Sequence, residues 1–152
     1  MSKNNLDKKV ADTLNQILER ELAGVVRYTH YSFMIFGYNR IPIVSWFGDQ
    51  AKEALMHAQE AGEILTNYGE HPSLKIGPLL ETHKHDIESI LKESLEAELE
   101  ALALYRDLLK QVEGKHLVLE EYARKMIVAE EMHAAEVEKM LRKPGDVKKS
   151  SL

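Results

Sequence analysis

The chain has 152 residues, 44% hydrophobic and 30% charged, with a formal net charge of −5 and no cysteine. That length and balance suit one globular domain with a substantial core. The missing thiols exclude disulfides, iron–sulfur clusters and thiolate zinc sites, and the acidic balance argues against a nucleic-acid surface.

Four long helices are predicted and almost no strand. The first runs from about Asn5 to Phe36 and breaks at Gly37 and Asn39–Pro42. Its apolar stripe is Val10, Leu14, Ile17, Glu21, Gly24, Tyr28, Tyr31 and Ile35. The second starts near Pro42, which suits a first helical turn, and ends at Gly69. Its stripe is Phe47, Gln50, Ala54, His57, Ala61, Ile64 and Tyr68. Residues 69–81 are rich in glycine and proline and read as a loop. The third helix runs from about Thr82 to Val112, with Ile87, Leu91, Ser94, Glu98, Ala101, Tyr105, Leu108 and Val112 on one face. Gly114 marks a tight reversal. The fourth runs from about His116 to Leu141 and carries Leu119, Ala123, Met126, Glu130, His133, Val137 and Met140. Pro144 and Gly145 stop it, and residues 143–152 read as a flexible tail beyond a core of about 5–142.

Short turns make each consecutive pair, one–two and three–four, an antiparallel hairpin. The longer middle connection can cross the length of a bundle and make helices two and three parallel. The expected fold is therefore a single-domain, all-α, antiparallel four-helix bundle with a long connection between helices two and three.

The stripes face a core, yet three carry a glutamate at mid-length and one a histidine. An isolated carboxylate is costly there unless it is paired or holds a metal. Glu130 and His133, three residues apart, point the same way from one helix. Glu98 and Glu21 offer carboxylates from other helices, and His57 an imidazole. The halves echo each other: Glu21 to His57 spans 36 residues and Glu98 to His133 spans 35. Inward carboxylates with Glu-x-x-His spacing in one bundle match the ligand set of a di-iron carboxylate centre. Without metal, such a cluster should hold protons. The structural alternative pairs the glutamates with arginines, the candidates being Arg27, Arg106 and Arg124.

Over residues 5–142 the chain resembles the bacterioferritins and their relatives in the ferritin-like di-iron superfamily. The resemblance rests on the segment Leu14–Leu22 (LNQILEREL) followed by Tyr28, on His57-Ala58, on Glu98 within Leu95–Leu99 (LEAEL), and on Glu130-Glu131-Met132-His133. It implies a ferritin-like fold and a ferroxidase, in which two Fe²⁺ react with O₂ or H₂O₂ and ferric iron can enter a protein cage as mineral. The implied metal ligands are Glu21, His57, Glu98, Glu130 and His133. Tyr28 and Tyr105 are placed to hydrogen-bond ligands or donate an electron, with core packing as the other reading.

Three departures bear on that expectation. The family pattern wants a glutamate three residues before His57, where this chain has Ala54; Glu53 sits one residue earlier. Glu53 is favoured as the replacement ligand, helped by a π-bulge, with Glu60 or an altered site as alternatives. The position of the family's haem-ligating methionine falls at Leu55, so haem is not expected. The residues after Leu141 read as too few and too polar for the fifth helix that lines the family's cage channels, so a homo-oligomer is expected, with a dodecamer or dimer favoured over a complete 24-subunit cage.

Other histidines (His30, His71, His83, His85, His116) read as surface, loop or cap residues, and the terminal lysines, Lys3 among them, as solvated. Trp46, Phe47, Tyr31, Phe33, Met34 and Phe36 are expected to pack helix against helix or subunit against subunit, and an apolar outer face with Val25, Val26 and Ile43 nearby supports self-association. Manganese suits the same donors as iron. A mini-ferritin-type stress protein that removes iron and peroxide, and a metal-free helical scaffold, are the competing functions. A cysteine-dependent rubrerythrin-like peroxidase is disfavoured. No apolar run approaches the roughly 18–20 residues of a membrane span, and the polar start lacks a signal-peptide core, so a cytoplasmic protein is expected.

Overall fold

A computed structural model describes residues 5–149; Lys3 and the final residues 150–152 of the expected tail lie outside the described residues. Among the described residues there are four α-helices and no strand: α1 (Lys8–Met34), α2 (Arg40–Asn67), α3 (Ile87–Val112) and α4 (Leu117–Leu141). They form two compact units that divide between Glu81 and Thr82. Among the described residues no helix is long and apolar enough to cross a membrane.

The first unit is the α1–α2 hairpin and the segment that follows it. All eight stripe positions of α1 are buried. Tyr28 and Tyr31 pack on Phe47, with ring centroids 5.9 and 5.4 Å apart. Further along, Gly24 faces Ala54, and Glu21 faces His57. Contacts that descend α1 as they ascend α2 make the pair antiparallel. A Cβ at Gly24 would lie 3.3 Å from that of Ala54, so the helices approach closely at this point. The aromatic cluster is a large apolar anchor for the hairpin.

Helix ends differ slightly from expectation, for local reasons. α1 stops at Met34 rather than Phe36, because Ile35 turns extended and Gly37 takes a φ of 97°. Arg40 Nη1 then donates to the Ile35 carbonyl at 2.6 Å, supplying a partner at the helix end. Starting at Arg40, α2 keeps Pro42 within its first turn, where a missing N–H costs nothing. It ends in a Schellman turn: Gly69 has a φ of 78°, its N–H bonds the Thr66 carbonyl, and the Glu70 N–H bonds that of Leu65.

The connection after α2 runs beside α1. Ser73 N–H donates to Asn15 Oδ1 (2.8 Å), Gly77 N–H to the Glu19 carbonyl (2.7 Å), and Glu81 Oε2 meets His30 Nε2 (3.3 Å). From Asn15 to His30 the helix rises about 22 Å, so the segment crosses most of the length of α1, as the loop length suggests. Gly77 eases this close approach, since a Cβ there would lie 3.2 Å from the Glu19 carbonyl oxygen, a tight contact.

The second unit is the α3–α4 hairpin. α3 begins at Ile87, five residues later than Thr82, because Asp86 is the residue that caps it. The Asp86 carboxylate accepts from Ser89 N–H at 3.0 Å, and its hydrogen bonds from Ser89 hold its pKa below the usual 3.8. Thr82 is engaged elsewhere, donating to Glu93 Oε2 at 2.8 Å. Gly114 reverses the chain at a φ of 71°, and His116 Nδ1 accepts from Leu119 N–H, capping α4. Tyr105 packs edge-on against Tyr122, while Glu98 faces His133, again an antiparallel order.

Candidate metal centre

Each hairpin buries a carboxylate–imidazole group at mid-length. On α1–α2, Glu21 and His57 are both buried, with Glu21 Oε2 3.6 Å from His57 Nδ1. Glu53, one turn before His57 on the same helix, places Oε1 3.7 Å from His57 Nε2. The ring thus lies between two carboxylates, one at each nitrogen. Glu21 is buried, whereas the Glu53 side chain is 37% exposed.

On α3–α4, Glu98 and Glu130 are buried, and each carboxylate comes within 3.9 Å of His133 Nδ1. One donor atom from each of the three lies within 4.8 Å of the others. Metal–oxygen and metal–imidazole bonds of about 2.0–2.2 Å would require such donors to contract by an ångström or so around one ion. Buried carboxylate thus meets Nδ1 in both hairpins, from Glu21 at His57 and from Glu98 and Glu130 at His133.

Residue 54 is where this chain differs from the expected pattern. Ala54 is buried against Gly24, and α2 is continuous α-helix throughout, so the π-bulge expected to bring Glu53 into its place is not formed. Glu53 instead reaches the opposite nitrogen of His57. Glu60 is half-buried one turn later. Leu55 and Met56, at and beside the position of the family's haem ligand, are both exposed.

Two arginines weighed as partners of the buried glutamates sit at the surface. Arg106 pairs with Glu131, and Arg124 with Glu113 (2.8 Å) and Glu120 (3.2 Å). Tyr28 is buried in the aromatic cluster with Phe47, and Tyr105 is fully buried against Tyr122. A further group escaped the sequence reading: Glu81, His83 and His85 also bring donor atoms within 4.8 Å of one another. The Glu-x-His-x-His spacing was its only signal.

A family model described as a ferritin-like domain matches residues 11–145. No curated protein matches the sequence significantly. Among solved structures, a ferritin-like diiron-carboxylate protein from Bacillus anthracis str. Ames superposes with a TM-score of 0.84 at 20% identity, covering 93% of this chain and 99% of its own. Bacterioferritin from Rhodobacter capsulatus gives 0.82 at 23% identity, over 90% of this chain and 86% of that one. A dodecameric thioferritin, the bacterioferritin-related protein from Bacteroides fragilis, gives 0.79 at 22% identity, over 90% and 87%. The fold these likenesses establish is the all-α four-helix bundle that the sequence predicts.

Proposed function

The chain belongs to the ferritin-like domain family, and on that premise we propose that it oxidises Fe²⁺ at a dinuclear carboxylate centre. The observation that carries this reading is the repeated geometry: in each hairpin a buried histidine or half-buried histidine turns Nδ1 toward buried glutamate. Buried carboxylates and imidazoles suit ferrous iron, and manganese as well. Two Fe²⁺ are the substrate; they supply two electrons to O₂ or H₂O₂.

Within this proposal Glu21 and His57 hold one ion, and Glu98 and His133 the other. Glu130 adds a third buried carboxylate. Glu53 acts from the Nε2 side: its Oε1 stands 3.7 Å from that nitrogen, placed to take the ring N–H on modest side-chain adjustment and so to favour Nδ1 as the donor. Three buried carboxylates then face two dications, leaving about one positive charge for solvent-derived or substrate anions to balance. Tyr28, buried a little under two turns from Glu21, is the candidate electron donor or ligand-orienting hydroxyl. Haem plays no part in the proposed chemistry.

Assembly and setting follow the same line. The Bacteroides fragilis relative is dodecameric, and here Phe33, Phe36 and Ile41 stand exposed at the α1–α2 turn. Such apolar exposure suits a homo-oligomer, which we place in the cytoplasm.

Anaerobic loading of metal-free protein with Fe²⁺, followed by exposure to air, tests the proposal. A stoichiometric break at about two irons per chain, with rapid near-ultraviolet absorbance growth, is expected for a dinuclear carboxylate site. A break at about one iron, or no fast phase, refutes the dinuclear ferroxidase and leaves an altered metal site.

A further inference from the structure

We propose that the surface segment Glu81–His85 is a separate binding site for a divalent transition-metal ion. Its ligands are Glu81, His83 and His85, which come from five consecutive residues, so their proximity is set by the local backbone. One donor atom from each lies within 4.8 Å of the others. Two imidazoles and a carboxylate form a donor set used for zinc, copper, nickel and ferrous iron, whereas calcium and magnesium prefer oxygen alone.

Two further observations favour a built site over a chance grouping. His83 holds a φ of 57°, the only non-glycine residue among those described with a left-handed backbone. Histidine tolerates that conformation better than most side chains, but it is still uncommon. The rings of His83 and His85 stand edge-to-face, with centroids 6.5 Å apart. The carboxylate is also oriented: His30, from α1, puts Nε2 3.3 Å from Glu81 Oε2. A carboxylate ligand with such an outer partner is the usual arrangement at a protein metal site.

Metal bonds of about 2.0–2.2 Å put two ligand atoms no more than about 4.4 Å apart. Small rotations of surface side chains close the remaining gap. Three protein ligands leave at least one coordination position to water, so the site is expected to exchange its ion readily.

The test is calorimetric titration with Zn²⁺ at pH 7.5, comparing the full-length protein with a His83→Ala/His85→Ala variant and with Glu81→Gln. The expected result is one Zn²⁺ fewer per chain in the double variant, at least tenfold weaker binding of that ion in Glu81→Gln, and unchanged helicity and Fe²⁺ oxidation rate in both. Equal stoichiometry and affinity in all three proteins overturns the site. So does a double variant that loses its Zn²⁺ only together with its Fe²⁺ oxidation, since the lost ion then belongs to the buried groups. Cu²⁺ electron paramagnetic resonance gives an independent readout: the signal that the double variant lacks must show coupling to imidazole nitrogen.

Discussion

Glu98→Gln removes one charge from the α3–α4 group while keeping the side chain's size. The Glu98 and Glu130 side chains are only 9% and 3% exposed, and their donor oxygens lie within 4.8 Å. At an effective dielectric constant of about 20, two ionised carboxylates at that separation repel by about 3.5 kcal/mol. Protonation of one partner and side-chain relaxation reduce what is recoverable to roughly 1–2 kcal/mol. The metal-free variant should therefore melt higher, by roughly 2–8 °C for a chain of this size. Metal reverses the order. Mn²⁺ at about 100 times its dissociation constant should stabilise the native protein by about 2.7 kcal/mol, and most of that gain should vanish once an anionic ligand becomes neutral. Differential scanning calorimetry with and without Mn²⁺ reads both effects. A structural carboxylate predicts the opposite sign, because glutamine would leave its partners poorly satisfied at a cost of about 1–3 kcal/mol. A metal-free variant that melts lower, with an undiminished Mn²⁺ shift, refutes the reasoning.

Glu53 gives a second test. As the partner of His57 Nε2 it should be replaceable by glutamine, whose amide oxygen still accepts the ring N–H. Glu53→Gln should keep fast Fe²⁺ oxidation within about threefold, and Glu53→Ala should slow it by about 10–100-fold; equal collapse in both variants would show that Glu53 itself binds metal. Phe47→Ala empties the centre of the aromatic cluster and should cost about 3–5 kcal/mol, lowering the melting temperature by roughly 6–20 °C. A shift below 3 °C would mean that the cluster does not anchor the α1–α2 hairpin.

The stripes were the most legible part of the sequence. Every α1 stripe position is buried, and so are Glu98, Glu130 and His57, because helical period fixes which residues share a face. Helix ends were less legible: Asp86, not Thr82, caps α3, and both are plausible caps by residue type alone. The hardest point was residue 54. Spacing along one helix shows that Glu53 and His57 share a face, but not which ring nitrogen the carboxylate meets. Nor does it show that Ala54 lies against Gly24, since that contact depends on how closely two helices approach. The Glu81–His85 grouping offered only its alternate-residue spacing, in a segment that forms neither helix nor strand.

The strap that follows α2 has a consequence for how its own segment exchanges hydrogen with solvent. Between Gly69 and His85 there is no helix or strand, and an ordinary loop of this length would exchange its amides quickly. Here Ser73 and Gly77 each donate an amide to α1, to Asn15 Oδ1 and to the Glu19 carbonyl. Those two amides can exchange only when the strap lifts or α1 itself opens. They therefore form a two-point gauge: slow exchange at both reports the strap seated along α1, and slow exchange at Ser73 alone reports a strap peeled back from its Gly77 end.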